Sequence, residues 1–301
     1  MSIIVTRPGK NQLVLENPVM PAAGTFGLGA QYRSMVNLDK LGALVTNPVS
    51  YRPHKAANGP RTVPLDAGVL LHTGLPNPGI SKLIKQQRDT WRNLSIPVVL
   101  HLIATTPEDV RKSMTIIDNS GLVAAVELGL PDDLTVGEAV DFTRAATQQA
   151  ETPVLVRLPL YDAYAVAEAV ADAGAGALVV AAPPRGTARD LRTGAQVNGR
   201  VYGPLIKTMT LHLVERLAAR LPEVPIVGSG GVHTAQDARD YISAGAVAVQ
   251  VGSVTWVLPR AIELIARDLG GLVLTRKSDA LADEWFTGMG KTDRTDFNDR
   301  S

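Results

Sequence analysis

Eight short apolar runs, each stopping at a small or polar residue and each followed by a stretch with helical spacing, constrain this chain more than any other feature. They are NPVMPA (17–22), ALVTNP (43–48), PVVLHLI (97–103), VAAVELG (123–129), PVLVRLP (153–159), ALVVAA (177–182), PIVGS (225–229) and AVAVQVG (246–252). Their apolar residues are near-continuous rather than alternating, the pattern of strands covered on both faces of a parallel sheet. Eight such strands with helices between them fit an α/β fold, a single (β/α)8 TIM barrel, better than an open sheet. The helices carry start signals of their own: Thr106 before Pro107 and Asp109, Thr135 before Glu138, and Thr234 before Asp237 each read as an N-cap with an acid three residues on. The spacing of apolar residues over 206–221 predicts an amphipathic helix on the barrel exterior.

Residues 1–16 read as an N-terminal hairpin, and 272–301, charged and irregular, as a C-terminal tail, so residues 1–301 are expected to form one domain. Two connections are longer than the simple unit needs, 49–78 after the second strand and 183–203 after the sixth. Both leave the carboxyl end of a strand, where barrels of this kind build their sites, and both are therefore candidate lids. A hydrophobic share of 45% and a net charge of +1 with mixed signs fit a globular protein with a large core and argue against nucleic-acid or membrane-surface partners. The N-terminus lacks the apolar run of a signal peptide and no run of 18 apolar residues occurs, so a cytoplasmic protein is expected. The chain has no cysteine, which excludes thiolate nucleophiles and thiolate–metal ligation within it. No His/Asp/Glu constellation has zinc spacing, so no metal is expected. No lysine lies near the carboxyl end of a strand, which makes a Schiff-base aldolase an unsuitable reading.

The seventh and eighth strands both end in glycine-containing turns, GSGG (228–231) and GS (252–253). Backbone amides of Gly230, Gly231, Gly252 and Ser253 gathered at neighbouring strand ends would form a concave donor cluster suited to a phosphate dianion. The plainer reading is that the glycines only permit tight turns.

NPVMPAAGTFGLGAQY (17–32), LGALVTN (41–47), GLPNPG (74–79), GPLIK (203–207) and PIVGSGGVHTAQDARDYISAGAVAVQVGS (225–253) resemble the class 1 dihydroorotate dehydrogenases, in that family's order and over almost the whole chain. The resemblance implies an FMN-dependent oxidoreductase acting on a CH–CH donor, with pyrimidine biosynthesis as its setting. It implies an FMN phosphate on Gly230, Gly231, Gly252 and Ser253, and an isoalloxazine ring against the backbone of Ala22, Ala23 and Gly24, with Gly203 also on the cofactor side. It further implies a homodimer and, from the subclass whose opening motif is echoed, an iron–sulfur electron-transfer subunit.

Against that pattern several residues differ. Where the family has an Asn and then a Cys or Ser base after the fourth strand, this chain has Gly129 and a shorter loop with Asp132 and Asp133. Asp132 is a candidate base if burial raises its pKa; the alternative is a solvated acid opening the next helix. The family's substrate asparagines correspond to Leu71 and Ala182, and its two flavin-side lysines to Asn47 and Arg157. Arg157 either supplies charge beside the flavin or pairs with Glu127 on the adjacent strand. His72 and His101 are new polar residues, each readable as a flavin or proton-transfer partner or as a packing histidine. Arg185, in the long connection after the sixth strand, is a candidate clamp for an anionic substrate. These losses imply a rebuilt site for an unidentified small molecule other than dihydroorotate. The alternative is a catalytically inactive homologue that binds flavin or another phosphate ligand.

Overall fold

A computed structural model of the protein describes residues 2–9, 11–29 and 31–275, with 270–275 as backbone only. A hairpin of β1 (Ile3–Ile4) and β2 (Val14–Leu15) precedes the barrel. The barrel strands are β3 (Val19–Pro21), β4 (Leu44–Val45), β7 (Val98–Ile103), β8 (Ala125–Gly129), β9 (Val154–Arg157), β10 (Ala177–Val180), β13 (Ile226–Ser229) and β14 (Ala248–Val251). All pair in parallel, in the order β3-β14-β13-β10-β9-β8-β7-β4, so every run marked by the apolar pattern is a stave. Helices α1 (Ile80–Arg92), α2 (Pro107–Ser120), α3 (Val136–Thr147), α4 (Ala163–Asp172), α5 (Ile206–Arg220), α6 (Ala235–Ser243), α7 (Val254–Val257) and α8 (Ala261–Thr275) follow the later strands. The Thr135 and Thr234 capping boxes form as the sequence implied, and Thr106 accepts from the Asp109 amide. Residue 272, where an irregular tail was expected to start, lies within α8, which continues to Thr275; the rest of that expected tail, 276–301, lies outside the described residues.

A glycine stands at the barrel seam. The Gly42 N–H donates to the Val19 carbonyl at 2.8 Å, joining the chain entering β4 to β3. A Cβ at Gly42 would stand 1.9 Å from the Asn17 carbonyl oxygen, so only the bare backbone can make this approach. Gly42→Ala is expected to lower stability by about 2–3 kcal/mol, read as a shift in urea midpoint at unchanged m-value.

Inside the barrel, alternate strand residues meet in one buried cluster that includes Met20, Val45, Val99, Leu155, Val179 and Val227, closed at the amino-terminal end by Val5, Leu13 and Leu15. The hairpin is thus a plug. The outward faces of the same strands pack against the helices.

The two long connections are not loose lids. Residues 62–71 form β5 (Thr62–Leu65) and β6 (Gly68–Leu71); residues 185–202 form β11 (Arg185–Arg189) and β12 (Gln196–Tyr202). Together they make one antiparallel sheet in the order β11-β12-β6-β5, with Val201 opposite Leu70 and Tyr202 opposite Val69. Val63, Leu70 and Val197 give it a small core of its own. It forms a roof over the carboxyl-terminal mouth of the barrel.

Candidate functional site

Strand periodicity places the site. Two residues beyond the inward-facing Val99, Ala125, Leu155 and Ala248 stand His101, Glu127, Arg157 and Gln250. Successive inward side chains along a strand are two residues apart, so these four form the top layer of the barrel interior. Register sets His101 directly beside Glu127. The Arg157 Nε donates to Glu127 Oε1 at 2.7 Å, and His101 Nδ1 lies 2.8 Å from the same oxygen. Gln250 completes the layer, its Nε2 donating to Glu127 Oε2 and its Oε1 accepting from Arg157 Nη2. Arg157 Nη1 also donates to the Ala181 carbonyl at 3.3 Å.

Glu127 is wholly buried. Burial alone would raise its pKa, but the Arg157 charge and the hydrogen bonds from His101 and Gln250 outweigh that and hold it at about 2. Glu127 is therefore ionised at neutral pH, and each polar atom of the carboxylate is matched, as a buried charge requires.

Above the layer lies a cavity between the barrel mouth and the roof. Ala22, Ala23, His101, Arg157, Gly203, Gly230, Gly231, Gly252 and Ser253 all line it, so the sequence-selected cofactor residues are largely brought to one place. Gly24 and Asn47 are exposed at its rim, Asn47 next to the lining Pro48. Among the described residues no hydrogen bond uses the backbone N–H of Gly230, Gly231, Gly252 or Ser253. Four free amides at adjoining strand ends are a donor set for an anion with several oxygens. Gly231 has φ +61°, and a Cβ there would meet the Lys207 nitrogen at 2.5 Å, so the turn is held against the start of α5.

Other residues sit differently from expectation. His72 is exposed after β6 and away from the cavity walls, its N–H bonded to the Arg61 carbonyl at 2.8 Å. Asp132 is not a lining residue either. Burial pushes its carboxyl up, but hydrogen bonds from Arg200 and Arg185 bring it below the usual range, the opposite of what a general base needs. Arg185 Nε reaches Asp132 Oδ2 at 2.6 Å and Arg200 Nη1 reaches Oδ1 at 2.8 Å. Asp132 thus straps the roof to the loop after β8, and Arg185 is committed to it rather than aimed into the cavity.

Three residues were not singled out from sequence. Gln250 is the polar interruption in AVAVQVG, a signal that was available. Tyr202 lines the cavity from the roof, its ring 5.1 Å edge-on from Trp256, and burial raises its phenol pKa. His233 joins the two glycine turns through Nε2 and Ser253 Oγ at 3.1 Å. The walls near the ends of β7, β8 and β10 are apolar, with Ile103, Leu130, Ala181 and Ala182 facing the space. Among the described residues no group of three His, Asp or Glu side chains could hold a metal ion, and no helix is long and apolar enough to cross a membrane.

Comparison with known proteins is consistent over most of the chain. The family model described as dihydroorotate dehydrogenase matches residues 10–272. A Pelobacter propionicus protein named dihydroorotate dehydrogenase B (NAD(+)), catalytic subunit, is 34% identical over 85% of this chain and 90% of its own length. Proteins of the same name from Trichlorobacter lovleyi and Geobacillus kaustophilus are 35% and 29% identical, the latter over 95% of this chain and 96% of its own.

Proposed function

The chain belongs to the dihydroorotate dehydrogenase family, and from that premise we propose that it is an FMN-dependent oxidoreductase whose substrate site is rebuilt for a molecule other than dihydroorotate. FMN is the cofactor of this family and supplies a two-electron acceptor. The free amides of Gly230, Gly231, Gly252 and Ser253 would hold its phosphate. The backbone of Ala22, Ala23 and Gly24 would line its ring, with Gly203 and Asn47 at the edges. Arg157, fixed by Glu127 and Gln250, would present positive charge to the cofactor without moving during reaction.

The observation that carries the substrate reading is the apolar wall. Orotate-like rings present polar edges, and each buried edge needs a partner. Gly129 and Ala182 have no side-chain donor or acceptor, and Arg200, the roof cation that lines the cavity, is bound to Asp132 and to the Pro183 carbonyl. A less polar substrate suits this space. The names of the relatives describe catalytic subunits, which supports an electron-transfer partner for this chain, acting beside a homodimer.

The test is the visible absorbance of protein purified without added cofactor, followed by acid release of the chromophore. Stoichiometric FMN is expected, bleached anaerobically by dithionite and left oxidised by dihydroorotate. A colourless protein that fails to take up added FMN overturns the cofactor assignment. Rapid bleaching by dihydroorotate overturns the rebuilt site. Flavin that no organic donor reduces would favour the inactive homologue.

A further inference from the structure

Building on the flavin reading, we propose that His101 is the group that takes up the second proton of the two-electron cycle, through Nε2. The ring is 8% exposed and its two nitrogens have different surroundings. Nδ1 faces the Glu127 carboxylate at 2.8 Å. Glu127 is ionised and can only accept, so Nδ1 must be the donor. A neutral imidazole carries one ring proton. With that proton on Nδ1, Nε2 is left with its lone pair, and among the described residues it has no hydrogen-bond partner. It opens on the cavity.

Gly129 makes room for it. A Cβ at 129 would lie 2.8 Å from His101 Nε2 and 2.9 Å from Cε1, so the bare position and the imidazole are complementary. The absent side chain at the end of β8 is thus not merely a loss. It exposes a proton acceptor that β7 supplies instead.

The charged and titratable groups around the ring leave His101 as the one suited to this task. Glu127 on β8 and Arg157 on β9 are paired to each other. Across the cavity, Arg200 on β12 is committed to Asp132, and Tyr202 on the same strand stays protonated because burial raises its phenol pKa. When His101 gains a proton, the new charge faces Glu127, already the anion of the layer, so the carboxylate stabilises the product of proton transfer as well as fixing the tautomer.

In the step itself, a substrate carbon loses hydrogen with two electrons, as hydride, to the flavin. The neighbouring substrate atom loses a proton to Nε2, and the electron pair of that bond forms the new double bond. Substrate is oxidised by two electrons, cofactor is reduced by two, and imidazole becomes imidazolium. The proton returns to solvent after the cofactor is reoxidised.

The experiment needs no substrate. FMN-loaded wild type and His101→Gln are titrated anaerobically with dithionite and redox dyes at a series of pH values around neutrality. The midpoint potential of the wild type should fall with pH twice as steeply as that of the variant, two protons against one per electron pair. Gly129→Ala, which displaces the ring while keeping the histidine, should lose the same extra proton. Nitrogen NMR of the imidazole in oxidised wild type should show the neutral-form proton on Nδ1. Equal slopes in wild type and either flavin-bound variant, a one-proton slope in wild type alone, or a proton on Nε2 would each overturn the proposal. If no protein holds flavin, the proposal falls with the reading beneath it; flavin bound with equal slopes removes the proposal alone.

Discussion

Glu127→Gln should cost the protein about 3–5 kcal/mol of stability, the range for removing one partner of a buried ion pair. The glutamine keeps the volume but leaves the Arg157 guanidinium, itself 6% exposed, without its counter-charge. Replacing Glu127 and Arg157 together by apolar residues should restore much of the loss, since the desolvated cation goes with its partner. Linkage supplies an independent check. The folded-state pKa of Glu127 lies at about 2 against an ordinary 4.5, a depressed value, so its ionic contribution is fully present above the unfolded pKa. That contribution is lost as pH falls toward the folded value. The stability gap between wild type and Glu127→Gln, measured by urea unfolding, should therefore narrow between about pH 4.5 and 2.

Gly252→Asp should yield a folded protein that holds no flavin. A Cβ at 252 would find Ala22 Cβ at 3.6 Å as its nearest neighbour, ordinary contact, so the backbone has no reason to move. The new carboxylate would enter the amide cluster where a phosphate dianion is expected. Two like charges about 4 Å apart repel by about 4 kcal/mol at an effective dielectric of 20, so FMN affinity should fall on the order of 100- to 1000-fold. Circular dichroism and unfolding midpoint near those of wild type, with flavin fluorescence titration showing the loss, would separate this from misfolding. Unchanged affinity would place the phosphate elsewhere.

The staves were legible because a two-sided buried strand leaves a continuous apolar run, whatever it pairs with. The polar layer was half legible for the same reason: His101, Glu127, Arg157 and Gln250 are each the single polar interruption of such a run. What joins them was not. Glu127 and Gln250 are 123 residues apart, and nothing local to β14 says which residue across the barrel its amide will meet. The roof was missed for a related reason. Its strands are half exposed, and β6 meets its partner β12, far along the chain, across the barrel mouth. That same meeting turned Asp132 from a candidate base into a strap, since both of its arginines come from the roof or its approach.

The roof also stands apart from the hydrogen bonding of the barrel. Neither of its segments contributes a rung to the barrel; each departs after a stave and is back before the next helix begins. On the proposed reading the staves would carry the chemistry, and the cover, whose Arg200, Val201 and Tyr202 line the cavity, would share substrate selection with the walls at the strand ends. Its strands are locked in pairs, Leu71 with Arg200 and Leu70 with Val201, so change on one side calls for an answering change on the other. A library that varies 69–71 and 200–202 jointly would explore new specificities, where varying either segment alone would mostly unseat the cover.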